Sequence, residues 1–297
     1  MRRGTAVAVI LCGACGRLDF ATIARDAGSD APPVDACTLS PFGAPRALTE
    51  LNSNQTDFGG QISPDGLTYY FDSFRGTSDD LYVAHRASRS QMFDPPQPIT
   101  ELDTTDAESD PTISNDGLEL VFSSNRNAER CFYDSRRATT ADPWGLPTTL
   151  QALCSGGLGG SFISIDGLTL VYNTLDDGVG EGKLMVSHRT SVDELFVTGA
   201  VITELLPGAN KGYPALSSDE LTIYYESTGA GTHLQVWQAT RATPDSSFGT
   251  PELVPGVDDG DASNEGDASI TADGLELFFA SDRTGDNDLY VSTRACL

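Results

Sequence analysis

An Asp-Gly pair recurs through this chain at Asp65-Gly66, Asp116-Gly117, Asp166-Gly167 and Asp273-Gly274, with Asp219-Glu220 as its one variant. The copies stand 50 to 54 residues apart, a period that means one supersecondary unit repeated along the chain. Before each turn stands an apolar residue followed by Ser or Thr, in Ile62-Ser63, Ile113-Ser114, Ile163-Ser164, Leu216-Ser217 and Ile270-Thr271. After each turn the sequence alternates with a period of two, through Leu67, Tyr69 and Phe71 in the first copy and Leu275, Leu277 and Phe279 in the last. Such alternation marks a β-strand, and Asp-Gly between two such runs predicts a two-residue hairpin with both central residues at positive φ. The alternate positions are apolar too (Tyr70, Val121, Val171, Tyr224, Phe278), so each sheet has to be buried on both faces.

Each unit carries two more strands. A third ends at Arg86, Arg136, Arg189, Arg241 and Arg294. The stretch that holds the fourth is marked by an aromatic and two apolar residues: Phe93, Ile99, Leu102; Trp144, Leu150, Leu153; Phe196, Ile202, Leu205; Phe248, Val254, Val257; and, near the start, Phe42, Leu48, Leu51. Four strands in each of five units predict an all-β fold, a five-bladed β-propeller of four-stranded antiparallel blades, with no long helix.

The segments ISPDGLTYYFDSFRGTSDDLYVAHR and ITADGLELFFASDRTGDNDLYVSTR resemble the repeats of TolB-like, WD-repeat-like propellers, and the resemblance covers residues 42–295. It implies that the strand before each Asp-Gly turn is innermost. Residues 45–51 then supply the outer strand of the last blade, so that an N-terminal strand closes the ring. For function it implies little, because such propellers serve many roles.

Residues 1–14 read as a signal peptide: a basic start at Arg2-Arg3, then an apolar run too short to be a permanent membrane span. Leu11-Cys12-Gly13-Ala14-Cys15 resembles the lipobox of bacterial lipoproteins, which implies a lipid on Cys15. Cys12 occupies the place usually held by Leu, and a plain secretory signal is the alternative. Residues 15–36, rich in Asp, Ala and Pro, form a flexible lipidated linker, and residues 37–297 form the propeller. Four cysteines remain in an exported domain, enough for two disulfides. Cys37 and Cys296 fall where the ring is cut, and Cys131 and Cys154 fall opposite each other in blade 2.

The formal net charge of −25, with Lys183 and Lys211 the only lysines, argues against nucleic acid and anionic lipid surfaces as partners. Two columns at the start of the inner strands vary from blade to blade: Asp57, Glu108, Leu158, Lys211 and Glu265, then Gly59, Asp110, Gly160, Tyr213 and Asp267. From these we take Asp57, Glu108, Asp110, Lys211, Tyr213, Glu265 and Asp267 as candidate ligand-binding residues on the loop face. Arg75 with Asp79 and Asp80, and Arg283 with Asp286 and Asp288, should pair among themselves and pin their loops. Asp259, Asp261 and Glu265 are weak calcium candidates, without the glycine of a calcium-hand loop. His85 and His188 share a strand column and read as packing positions, and neither HExxH nor GxSxG occurs.

The sequence therefore predicts a non-catalytic, envelope-anchored propeller, monomeric and without a cofactor, that binds a protein or glycan partner through its loop face. It would touch the membrane only through its lipid, at the outer membrane or cell surface, with the periplasm as the alternative location. The competing function is a glycoside hydrolase-like enzyme built on Asp57, Glu108, Asp110 and Glu265.

Overall fold

The computed structural model describes residues 38–154, 157–174, 182–205, 211–258 and 262–297. The signal and linker segments, Cys15, Cys37, Asp259 and Asp261 lie outside them. Residues Thr38–Leu297 make one compact unit of five four-stranded sheets.

In blade 1 the strands, from the axis outward, are Asp57–Ile62, Thr68–Ser73, Asp80–His85 and Gln97–Pro98. Blade 2 has Glu108–Ile113, Glu119–Ser124, Cys131–Arg136 and Thr148–Cys154. Blade 3 has Leu158–Ile163, Thr169–Thr174, Lys183–His188 and Ala200–Val201. Blade 4 has Lys211–Leu216, Thr222–Ser227, Gln235–Thr240 and Glu252–Leu253. Blade 5 takes Glu265–Ile270, Glu276–Ser281 and Asp288–Thr293 from the end of the chain and Arg46–Ala47 from its beginning. Arg46 pairs with Val291 and Ala47 with Tyr290, so the ring closes as the repeat order requires. The only helical element among the described residues is a 3-10 turn, Thr203–Leu205.

The two-sided apolar pattern is what the ring consumes. Each of the five blade interfaces holds one cluster, such as Tyr69, Phe71 and Phe93 of blade 1 with Phe278, Leu289 and Val291 of blade 5. Fully burying one such aromatic contributes roughly 2–3 kcal/mol before entropy is counted.

Two local features differ from the sequence reading. Only the glycine of each Asp-Gly pair has positive φ, from 70° to 75°, and Glu220 takes that place in blade 4 at 57°. The turn is a Ser-x-Asp-Gly loop and not a two-residue hairpin. Ser63 Oγ donates to Asp65 Oδ1 at 2.6 Å, and the backbone N–H groups of Leu67 and Thr68 are taken by Asp65 and Ser63. Side-chain acceptors thus cap the turn, so Asp itself stays right-handed.

The second difference concerns the repeated arginine. In four blades it follows the third strand, donates from Nε to the carbonyl of residue 66, 167, 220 or 274, and stacks on the aromatic of the next segment. In blade 2 the residue that does this is Arg137, on Gly117 and Trp144, rather than Arg136. Arg136 turns instead to Asp134 and Glu119.

Cys131 and Cys154 form the cross-strand disulfide of blade 2, with Cα atoms 4.1 Å apart. Cys296 is disulfide-bonded, and its expected partner Cys37 lies outside the described residues. Beside it, Leu39 pairs with Cys296 and the N–H of Leu297 donates to the carbonyl of Thr38 at 2.9 Å. His85 and His188 are exposed, each with Nδ1 beside the cross-strand threonine, Thr68 or Thr169, so neither is a packing residue.

Candidate functional site: the channel mouth

The first inner-strand column turns out to be a fastening. Asp57, Glu108 and Glu265 are wholly buried, each paired with an arginine from the loop after the second strand: Arg75 at 2.7 Å, Arg126 at 3.1 Å and Arg283 at 3.0 Å. A serine two residues before each arginine, Ser73, Ser124 or Ser281, donates to the same carboxylate. Each guanidinium also donates to a backbone carbonyl, of Leu51, Leu102 or Val257, and stacks on two aromatics of its own blade. Burying a carboxylate this completely is costly unless a paired cation and hydrogen bonds offset the lost hydration. The expectation that these three acids face a ligand is corrected accordingly, as is the pairing of Arg75 and Arg283 with acids of their own loops. Lys211 opens the inner strand of blade 4 and is likewise buried.

The second column does reach the axis. Every inner strand slips register at this point, between Phe58 and Gly60, Ser109 and Thr112, Leu158 and Ser161, Gly212 and Ala215, and Gly266 and Ser269. Such a bulge re-aims the side chain it carries. Asp110, Tyr213 and Asp267 sit there in left-handed backbone, at φ 57°, 47° and 53°. Gly59 and Gly160 hold the same place in blades 1 and 3, and they make the site lopsided. A methyl on Gly59 would stand 2.3 Å from Asp267 Cβ, and one on Gly160 would stand 2.5 Å from Tyr213 Cδ1. Glycine in one blade therefore admits the side chain of the blade before or after it.

Those five residues, with Gly60, Pro111, Ser161, Phe162, Pro214 and Ala268, line a cavity of about 20 Å³ at the loop-face end of the channel. That is room for one water-sized group. Phe162 also lines the cavity at the other end, which is walled by Ile62, Ile113, Ile163, Leu216 and Ile270. The channel is thus acidic at one mouth and apolar at the other.

Two acids that the sequence reading missed complete the acidic mouth, both from second strands. Asp72 Oδ1 accepts the N–H of Asp110 at 3.0 Å, and Glu226 packs against Gly212 and Gly266. Asn173 plays the part of Asp72 for Tyr213, accepting its N–H at 3.0 Å. Asp267 Oδ2 accepts the N–H of Gly59 at 3.2 Å. Arg130 and Ser123 both donate to Asp110 Oδ2 at 2.7 Å.

Crowding and burial set the protonation of this group. Burial, then the charges of Asp110 and others, hold Asp72 well above the usual carboxylate range. Glu226 is raised in the same way, by burial and then by Asp267 and Asp110. Asp267 is pushed up to about 7 by burial and by Asp110. The Tyr213 phenol is held well above its ordinary value, first by the charge of Asp110 and then by burial.

Away from the axis, Asp80, Asp103 and Glu108 bring carboxylate oxygens within 4.8 Å of one another. Asp103 is pushed up to about 6 by burial and by Asp80 and Glu108. Glu108 there is already held by Arg126, Thr104 and Ser124. Of the weak calcium candidates, Glu265 is committed to Arg283 and the other two lie outside the described residues.

No protein-family model matches this chain, and no curated protein matches it in sequence. Solved structures do match in fold. A thermostable family-43 glycoside hydrolase superposes with a TM-score of 0.57 at 15% identity, over 82% of this chain and 90% of that one. An α-L-arabinofuranosidase from Podospora anserina, in complex with cellotriose, gives 0.54 at 12% identity, over 86% and 95%. TolB from Acinetobacter baumannii gives 0.50 at 14% identity, over 83% of this chain. The chain spans 56% of the length of that TolB. At such identities likeness extends to the fold alone. The fold of this chain is a TolB-like β-propeller with five blades.

Proposed function

We propose that this chain is a non-catalytic, envelope-anchored propeller that holds a protein or glycan partner against the acidic channel mouth of its loop face. The observation that carries this reading is the second column of the inner strands. Blades 1 and 3 close the ring with glycine there, so closure does not require Asp110, Tyr213 and Asp267. Left-handed backbone costs each of those three about 1 kcal/mol, and strain kept at one end of a channel points to use. The small cavity supports binding over hydrolysis, because two carboxylates that cut a glycosidic bond need a sugar ring between them. The disulfide of blade 2 fits an oxidising compartment, and the lipid on Cys15 would tether the propeller there.

One observation favours hydrolysis as a second reading. Asp267, pushed up to about 7 beside Asp110, is the kind of divided acid pair that general acid catalysis uses. A single experiment separates the two readings. The full chain is presented with bacterial and plant polysaccharides and with an envelope extract, and reducing-end release is followed in the same samples. Retention without release, weakened in Asp110→Asn, supports the binding module. Release abolished in Asp267→Asn establishes the hydrolase.

A further inference from the structure

We propose that the channel mouth is a receptor for a primary ammonium group, carried by a lysine side chain of a partner or by a free alkyl amine. The inference rests on the reading of the mouth as a binding site and names the chemistry that it takes.

Four carboxylates converge there, Asp72, Asp110, Glu226 and Asp267, and among the described residues the one ion pair made to any of them is Arg130 with Asp110 at 2.7 Å. No N–H or O–H among the described residues donates to Glu226 or to Asp267 Oδ1, and both acids are half-buried. A further polar group points the same way. The Tyr69 side chain is fully buried, yet its hydroxyl makes no hydrogen bond of normal geometry. It lies by Gly60, which lines the cavity, and within electrostatic reach of Asp267 and Asp72. Carboxylate oxygens without a donor among the described residues thus lie beside a space that the ring leaves open, and so do the unpartnered Ser161 Oγ of its wall and Asn173 Nδ2.

Size and shape narrow the ligand. About 20 Å³ suits a water-sized head better than a planar guanidinium or a sugar ring. An ammonium has that size, with N–H donors for the oxygens of Asp110 and Asp267 on the cavity wall, and Glu226 lies within electrostatic reach of both acids. Tyr213 lines the cavity beside Gly160. Phe162 ends the cavity toward the apolar half of the channel, so the methylene stem of the ligand would leave through the loop face.

Protons must leave as the ammonium enters. Burial and mutual repulsion raise Asp72 and Glu226 well above the usual carboxylate range and push Asp267 up to about 7, with Asp79, Asp110, Arg130, Tyr69 and Tyr213 facing them. Binding should strengthen with pH while the amine itself stays charged.

The test is amide chemical-shift titration of the full chain with n-butylammonium, Nα-acetyl-lysine methylamide, tetramethylammonium and calcium chloride. The expected result is saturable movement of the Gly59, Gly160, Tyr213 and Asp267 amides by n-butylammonium. Binding should be about tenfold tighter at pH 8 than at pH 5.5 and at least about fivefold weaker in Asp267→Asn. Glu226→Gln is the second variant, and far-UV circular dichroism checks that both keep the propeller. A response to the blocked lysine identifies a protein side chain as the source, and a response to n-butylammonium alone identifies a free amine. Tetramethylammonium acting as strongly as n-butylammonium, or calcium alone moving these amides, overturns the inference. Polysaccharide or protein retention at the loop face with no response to any amine overturns it too, while leaving the binding reading intact.

Discussion

At the residue scale, the most consequential side chains are the three arginines that hold buried acids. Arg75→Met leaves Asp57 desolvated with its charge unpaired, and the expected loss is about 3–5 kcal/mol in urea unfolding. Adding Asp57→Asn should recover part of that loss, and an unchanged midpoint in Arg75→Met would refute the pairing. The device was legible in principle. Acid and Ser-x-Arg occur together in blades 1, 2 and 5, and both are absent where Leu158 and Lys211 stand. Reading each column alone hid the correlation, because a carboxylate on a loop face looks the same in sequence whether it meets solvent or a guanidinium.

The acids of the channel carry a pH signature at the same scale. Unfolded carboxyls titrate near about 4. Asp267 in the folded chain holds its proton to about 7, and Asp72 and Glu226 are raised as well. Between those limits the folded state binds more protons than the unfolded state, so this group lowers stability as pH rises from about 4 to 7. Relative to the parent chain, Glu226→Gln and Asp267→Asn should flatten the fall of the urea midpoint over that window. Equal slopes in parent and variants would show that the cluster is not strained.

At the element scale, the hairpins were read correctly as strand pairs and incorrectly as turns. Period-two alternation determines which faces are buried, but two turns of different length can both join such strands. The choice fell to Ser63, Asp65 and their equivalents, whose oxygens satisfy the N–H groups beyond the turn. The outer hairpin of blade 2 has its own fastening in Cys131–Cys154, which closes a separation of 23 residues. Replacing both by Ser should cost about 3 kcal/mol by the loop-entropy account, read as an earlier thermal midpoint. Reducing agent, which also opens the disulfide of Cys296, should lower the midpoint of the parent chain at least as far, and insensitivity to both would mean that the hairpin holds through its strands alone.

For the whole molecule, the decisive contact lies between residues far apart in sequence. Leu48 and Leu51 pack with Phe278, Leu289 and Val291, and the N–H of Leu48 donates to the carbonyl of Leu289 at 2.8 Å. Removing residues 38–51 exposes that cluster and leaves blade 5 with three strands. The expected outcome is loss of a single cooperative calorimetric transition. A truncated chain that melts as sharply as the parent would mean that the ring does not need its closing strand.

The sequence by itself determined the number of blades, the strand order within each, the closure of the ring by the N-terminal strand and the Cys131–Cys154 pair. The blade number and the cysteine pair follow from period and spacing, which are properties of a line, whereas the innermost strand and the closure are what the resemblance to TolB-like propellers implied. Only the tertiary structure decided which variable residues face the axis. Residues two apart, Asp57 and Gly59 or Glu108 and Asp110, differ in sequence only by their place beside a bulge. The bulge sends the first to a buried guanidinium and the second to the channel. Asp72 and Glu226 join the site from second strands, which alternation assigns to packing. Convergence on an axis brings together residues of every blade, and no spacing along the chain records it.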